Sequence, residues 1–370
     1  MTKVMTIVGT RPEIIRLSRV LARLDETVDH VLVHTGQNYD YELNGIFFDE
    51  LGIRPPDRFL EADTTSLGSF LGSVLTASER VLAEEKPDAL LVLGDTNSCI
   101  SALMARRMRV PVYHMEAGNR CFDLNVPEET NRRLVDHVSD FNLAYTEHAR
   151  RNLLAEGIHP RRILLTGSPM GEVLTHYADL FRNSTVLSTL DLESQGYLLV
   201  SAHREENVDD PDRLTSLLDS LDAAHKHTGL PVLVSTHPRT RKRLDALGGG
   251  LPEGVIIHAP LGFADYVRLQ QDAFCVLSDS GTISEESSIL GFPAITLRDS
   301  IERPEALDTG AIIMTGLDPG NVVEGIDLAT GGPHRDGIVP VEYQVTDCSE
   351  RVVRFILSTH RRHEQWSGLR

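Results

Sequence analysis

Residues 89–116 read ALLVLGDTNSCISALMARRMRVPVYHME. Two apolar runs, ALLVLGD and VPVYHME, flank a helical stretch, NSCISALMARRM. Both runs are short, rich in Val and Leu and nearly continuous in their hydrophobicity. That is the pattern of a strand covered on both faces rather than on one. Strand, helix and strand in that order make a βαβ crossover, which sets the two strands parallel. The unit recurs on either side: VMTIVG, HVLVHTG and RILLTG read as further strands, and EIIRLSRVLARL, YELNGIFFDELG and PEETNRRLVDHV as further amphipathic helices.

The alternation lapses over Tyr177 to Gly196, a polar stretch, and then resumes with YLLVSAHREEN, LPVLVSTHPRT, GVIIHAP, AFCVLSDSGT and FPAITLRDS. Two successive βα arrays predict an α/β chain of two Rossmann-like domains facing a cleft. The expected boundaries are 1–174 for the first domain and 190–347 for the second. A last helical pattern over 348–370, CSERVVRFILSTHRRHEQW, is compatible with packing on either one.

Composition agrees with that division, because 370 residues exceed one ordinary core. A hydrophobic fraction of 41% and a charged fraction of 24% are those of a globular protein. The net charge of -18 argues against nucleic acid or an anionic membrane surface as partner. Cys99, Cys121, Cys275 and Cys348 are widely spaced, as thiols in a reducing compartment would be. MTKVMTIVGTRPE has too short an apolar run for a signal peptide, and no run reaches about 18 apolar residues. A cytoplasmic location is expected.

In such folds ligands bind beyond the carboxyl ends of the strands. There the chain places Gly9-Thr10-Arg11-Pro12-Glu13, Gly94-Asp95-Thr96 and Glu116-Ala117-Gly118 in its first half. In its second half it places His203-Arg204-Glu205-Glu206, Thr236-His237-Pro238-Arg239 and Ser278-Asp279-Ser280-Gly281. Turns alone would not need so many ionisable groups. Each still has a structural alternative. Thr10 and Asp95 suit helix caps. Glu128 and Arg132 have the i, i+4 spacing of a surface ion pair. Ser280 or Thr282 suits a cap, and His203 and His237 suit bonds to nearby carbonyls. Against these stand phosphate binding near free helix N–H groups at Arg11 and at Ser280-Gly281, ribose binding by Glu285 or Glu286, and proton transfer by Asp95, Glu116 and Glu128. No metal-ligand spacing, GxGxxG fingerprint, Walker loop or nucleophile elbow is present. Neither a metal nor a nicotinamide cofactor is expected.

VGTRPEIIR, LVLGDTNS, HMEAGNR, PEETNR, TGSPM, SAHREEN, STHPR, LSDSGTISEE and IERPEAL follow one another in this order. The chain thereby resembles the non-hydrolysing UDP-N-acetylglucosamine 2-epimerases over about residues 3 to 310. The resemblance implies a glycosyltransferase-B fold and a homodimer with a UDP-sugar substrate. It implies catalytic roles for Asp95, Glu116, Glu128 and His203, with Arg132 beside them. It implies UDP contacts for Arg11, Ser280, Gly281 and Glu286, and Arg16, His203, His237 and Arg303 are counted with that set. Arg133 and Asp136 fall on the ordinary outer face of the same helix. Arg16 stands where these enzymes usually have Lys, and EAGNRCFDLNVPEE is shorter than their usual loop. Both features resemble the branch that forms UDP-N-acetyl-L-fucosamine. A glycosyltransferase of the same fold and a nucleotide-sugar-binding protein are the alternatives.

Overall fold

The computed structural model describes residues 1–36, 46–236, 240–241, 243–244, 250–331 and 339–368. His237 and the opening residues of YELNGIFFDELG lie outside them. The chain forms two compact units, Met1–His176 with Gln344–Arg370, and Tyr177–Tyr343.

The first unit is built on seven parallel strands. They are β1 (Lys3–Val8), β2 (Asp29–His34), β3 (Arg58–Phe59), β4 (Ala89–Leu93), β5 (Val112–Met115), β6 (Phe141–Ala144) and β7 (Ile163–Leu165). Their order in the sheet is β3-β2-β1-β4-β5-β6-β7. Val4, Met5, Ile7 and Val8 of β1 and Leu90, Leu91 and Val92 of β4 are fully buried, on both faces of the sheet. Continuous hydrophobicity is therefore what these strands require. The chain winds outward one way from β1 and the other way from β4, so the gap between these two neighbours is the topological switch point.

Helix α1 (Arg11–Thr27) follows β1 directly. Thr10 is its N-cap, Pro12 lies in its first turn, and Ile14, Leu17, Leu21 and Leu24 form one buried face. Each of those side chains contributes about 1.5–3 kcal/mol on burial. Helix α2 (Glu128–Val138) follows β5 and a loop.

Six parallel strands make the second unit: β8 (Leu198–Ser201), β9 (Val232–Ser235), β10 (Val255–His258), β11 (Cys275–Ser278), β12 (Ala294–Thr296) and β13 (Ile313–Met314). They are ordered β10-β9-β8-β11-β12-β13, and the switch point falls between β8 and β11. The polar stretch after Tyr177 holds two short helices, Ala178–Asn183 and Val186–Thr189. They rest on helix α3 (Phe263–Asp272), with Phe181 edge-on to Phe263 at 5.3 Å and the Ser184 hydroxyl donating to Asp265 at 2.6 Å. Helix α4 (Ile283–Leu290) begins just beyond β11.

Helix α5 (Cys348–Thr359) returns to the first unit. It lies along α1, the Ser349 N–H donates to Glu172 at 2.8 Å, and Tyr113 and Thr359 share a hydrogen bond of 2.7 Å. Phe355 stands edge-on to Phe141 at 5.4 Å. Among the described residues no helix is long and apolar enough to cross a membrane.

Two measurements test this packing. Ile356 is fully buried, so Ile356→Ala should destabilise the first unit by about 2–5 kcal/mol in denaturant unfolding. His34 is buried with Nδ1 accepting the Gly36 N–H at 2.9 Å, and burial lowers its pKa from 6.5 to about 4. As pH falls below 6.5 the unfolded chain takes a proton that the native ring refuses, so stability present at neutral pH is lost. By pH 5 this group alone should remove about 2 kcal/mol. His34→Asn should show a shallower acid limb when urea midpoints at pH 7 and pH 5 are compared.

Candidate active site

At the switch point of the first sheet, Glu13 joins the turns that follow β1 and β4. It lies three residues after the N-cap, the spacing of a capping box. Its Oε2 accepts the N–H groups of Gly9 and Thr10 at 2.9 and 2.7 Å and the Thr10 hydroxyl at 2.9 Å. Its Oε1 accepts the hydroxyls of Thr96, at 3.1 Å, and of Ser98. Burial raises its pKa against the pull of these donors. The sequence placed Glu13 at a strand end without giving it a role, although Thr10-Arg11-Pro12-Glu13 carries the box spacing. Arg11, next to the cap, lies over the Phe47 ring at 5.5 Å, and burial lowers its pKa.

Asp95 and Glu116 each meet a guanidinium. Arg132 reaches from α2 and donates from Nε to Asp95 Oδ2 at 2.7 Å, while its Nη2 lies 2.6 Å from the same oxygen. Arg16, on α1, donates to Glu116 Oε2. The two arginine side chains are 4% and 3% exposed, whereas Asp95 and Glu116 keep 21% and 11%. The cations are thus sealed in, and the carboxylates retain an open edge. Glu116 also adopts φ +64°, a left-handed conformation that costs a non-glycine residue on the order of 1–3 kcal/mol. A Cβ placed on Gly94 would lie 3.6 Å from Glu116 Oε2, so this carboxylate sits over the turn that carries Asp95.

Glu128 is half-buried in the first turn of α2. Its neighbour Glu129 is fully buried and accepts from Arg132 at 3.2 Å, from Arg133 at 3.0 Å and from the Cys121 N–H at 3.2 Å. Burial opposes its charge, but the hydrogen bonds of Cys121 and Arg133 and the charge of Arg132 outweigh that and lower its pKa. The expected outer face of α2 needs correction. Arg133 is half-exposed, but Asp136 is completely buried and holds His114 and Arg120. A strand and a loop pack over that side of the helix, and the sequence around Asp136 gives no sign of them.

In the second unit Asp279 does for β8 and β11 what Glu13 does for β1 and β4. Buried just after β11, it accepts the N–H groups of His203 and Arg204 at 3.0 Å and the Asn207 side chain at 3.1 Å. The His203 ring is 48% exposed, with Nδ1 3.5 Å from Asp279. Ser280 and Gly281 form the turn into α4, and the Thr282 N–H donates to the Ser280 hydroxyl at 3.3 Å. Behind them lies a charged cluster. Arg303 meets Glu285 at 3.2 Å and Glu302 at 3.3 Å, and Glu302 also takes Arg204 at 3.3 Å and Arg298. A Cβ on Gly281 would run into Glu302 and Arg303. Glu286 accepts from Gln270 at 2.6 Å. Arg204 was read from the sequence only as a strand-end residue, and Arg298 and Glu302 were given no role there. Among the described residues no group of three or more His, Cys, Asp or Glu could hold a metal ion.

Two doubly wound parallel sheets with acids and arginines at their carboxyl ends define an α/β enzyme. Residues 22–357 match the family described as UDP-N-acetylglucosamine 2-epimerase. The structure of UDP-N-acetylglucosamine 2-epimerase from Rickettsia bellii is similar, with 44% identity and a TM-score of 0.91 over 99% of this chain and 98% of that one. The UDP-GlcNAc 2-epimerase of Methanocaldococcus jannaschii, solved with UDP-GlcNAc and UDP, gives 34% identity and a TM-score of 0.90 over 96% of this chain and 100% of that one. The UDP-2,3-diacetamido-2,3-dideoxy-D-glucuronate 2-epimerase of Pseudomonas aeruginosa is 38% identical over 338 residues, 90% of this chain and 94% of its own. The chain belongs to the UDP-N-acetylglucosamine 2-epimerase family, whose members are isomerases with a glycosyltransferase-B-like fold.

The Glu116 turn also makes a structural prediction. Gly118 has φ +85°, and a Cβ there would come within 2.8 Å of Leu153 Cγ and into the Ala149 carbonyl. Gly118→Ala should lower the unfolding free energy by about 3 kcal/mol or more in denaturant titrations.

Proposed function

We propose that the protein inverts C2 of a UDP-N-acetylhexosamine, interconverting UDP-N-acetylglucosamine and UDP-N-acetylmannosamine. The observation that carries this reading is the pair of partly open carboxylates, Asp95 and Glu116, each held on a buried guanidinium at one switch point. The C2 hydrogen is not adjacent to a carbonyl, so simple deprotonation is out of reach. If a base takes that proton while the C1–O bond to UDP breaks, the products are a 2-acetamidoglycal and UDP. A proton delivered to C2 from the opposite face, with return of the UDP oxygen to C1, completes the inversion. Proton transfer at two faces needs two groups, and Asp95, Glu116 and Glu128 are the candidates. Arg132 and Arg16 compensate the charge of the first two. Arg11, Ser280, Gly281, Glu286, Arg303, His203 and His237 are assigned to UDP, the diphosphate by N–H groups at the start of α4 and by nearby cations. The assembly proposed is a homodimer.

A second reading keeps the chemistry and changes the sugar. Arg16 and the short loop between Glu116 and Glu128 favour UDP-2,6-dideoxy-2-acetamido-L-talose, giving UDP-N-acetyl-L-fucosamine. The Pseudomonas relative, whose name gives a third UDP-hexosamine, supports reaction class over substrate.

Proton NMR in D2O with UDP-N-acetylglucosamine tests both readings. Loss of the C2 proton signal with growth of UDP-N-acetylmannosamine is the expected result. Exchange only with the 6-deoxy sugar nucleotide would select the second reading. Exchange with neither, alongside UDP release that depends on an acceptor, would make the protein a transferase. Asp95→Asn and Glu116→Gln should each lower kcat by about 10²–10⁴-fold.

A further inference from the structure

The turns that carry Asp95 and Glu116 are connected from beneath by one buried pair. His114, on β5, places Nε2 2.7 Å from the carbonyl oxygen of Gly94, the residue before Asp95. Its Nδ1 lies 2.8 Å from Asp136 Oδ1. Asp136 accepts the N–H of Gly118, two residues beyond Glu116, at 3.1 Å. Its Oδ2 also faces Arg120 Nη2 at 2.8 Å. Arg120 is anchored in turn on Glu156, at 2.9 Å from Nε and 2.6 Å from Nη2, and donates to the Asn119 carbonyl at 2.7 Å. His114, Arg120 and Asp136 are all buried.

Among the described residues every partner of the imidazole is an acceptor. A carbonyl oxygen has no proton to give, and the Asp136 carboxylate is already committed to a guanidinium and an N–H. A ring with one proton would leave the other nitrogen lone pair against an oxygen in a dry site, a buried group without its hydrogen bond. Both nitrogens donate only when the ring is doubly protonated. Such a ring pulls on the Asp95 turn with one nitrogen and, through Asp136, on the Glu116 turn with the other. Glu116 needs that support, because its left-handed backbone persists only where surrounding contacts over-determine it.

We propose that His114 and Asp136 are positioning residues, a doubly protonated ring clamped between the Gly94 carbonyl and the Asp136 carboxylate that sets the Asp95 and Glu116 turns relative to each other. The inference rests on the reading that those two carboxylates transfer protons at C2. The groups that face the ring are Asp136 from α2 and the Gly94 carbonyl from the turn after β4, with Arg120 and Glu156 behind Asp136.

The test combines spectroscopy and kinetics on the full-length protein. In histidine-labelled wild-type protein, nitrogen-15 NMR should show His114 protonated at both Nδ1 and Nε2 near pH 7.5, with His114→Gln supplying the assignment. One bare nitrogen would overturn the proposal, and if His114→Gln fails to fold, His114→Asn supplies the assignment. His114→Gln and Asp136→Asn should lower kcat for C2 hydrogen exchange by about 10–100-fold, the effect of a misplacement near 1 Å. KM and UDP affinity should stay within about threefold. A kcat within twofold of wild type would overturn the clamp, as would parallel losses of kcat, UDP affinity and unfolding midpoint. Asp95→Asn and Glu116→Gln are measured alongside. Exchange retained in those two overturns the carboxylate reading itself, whereas exchange lost there but kept in His114→Gln overturns the clamp alone.

Discussion

A buried carboxylate at each topological switch point holds together the turns from which the candidate sites are made. In the first unit Glu13 gathers donors from the turns after β1 and β4, and in the second Asp279, itself in the turn after β11, gathers them from the turn after β8. The backbone N–H groups there point away from the sheet ladders and would lack partners in a water-poor crevice. One carboxylate with several acceptor sites satisfies them together, at the cost of burying a charge. Adjacent strand ends thereby become a single rigid platform.

On that platform the proposed site runs on paired charges. The whole chain is acidic, yet Arg16, Arg132, Arg298 and Arg303 are all buried beside glutamates or an aspartate. Buried pairs of this kind contribute little to stability, because desolvation offsets the attraction. Their value lies in geometry. A guanidinium held by several hydrogen bonds fixes its carboxylate before any ligand arrives, so charge that develops during a reaction meets an environment already arranged for it. Net charge therefore argues against a nucleic-acid partner without excluding local sites for an anion.

The architecture was legible because it rests on local pattern. Strands covered on both faces must be continuously apolar, as in ALLVLGD, and their helices must show one apolar stripe, as in EIIRLSRVLARL. The rule that ligands sit beyond strand ends then pointed to Asp95, Glu116, Ser280 and Gly281 without any contact map. Asp136 was misread for the same reason. Helical spacing reports which residues share a face, but not what covers that face. Here β5 and the loop after it bury the side that looked solvent-exposed.

The sequence by itself determined the two parallel α/β arrays, the strand-end positions and, through ordered motifs, the family. Only the tertiary structure decided that α5 packs in the first unit, that Glu13 reaches Ser98, that Glu116 takes a left-handed backbone and that His114 spans Gly94 and Asp136. The physical reason is separation along the chain. Periodicity is a property of residues a few positions apart, whereas these contacts join residues brought together only because β1 lies beside β4 and β4 beside β5.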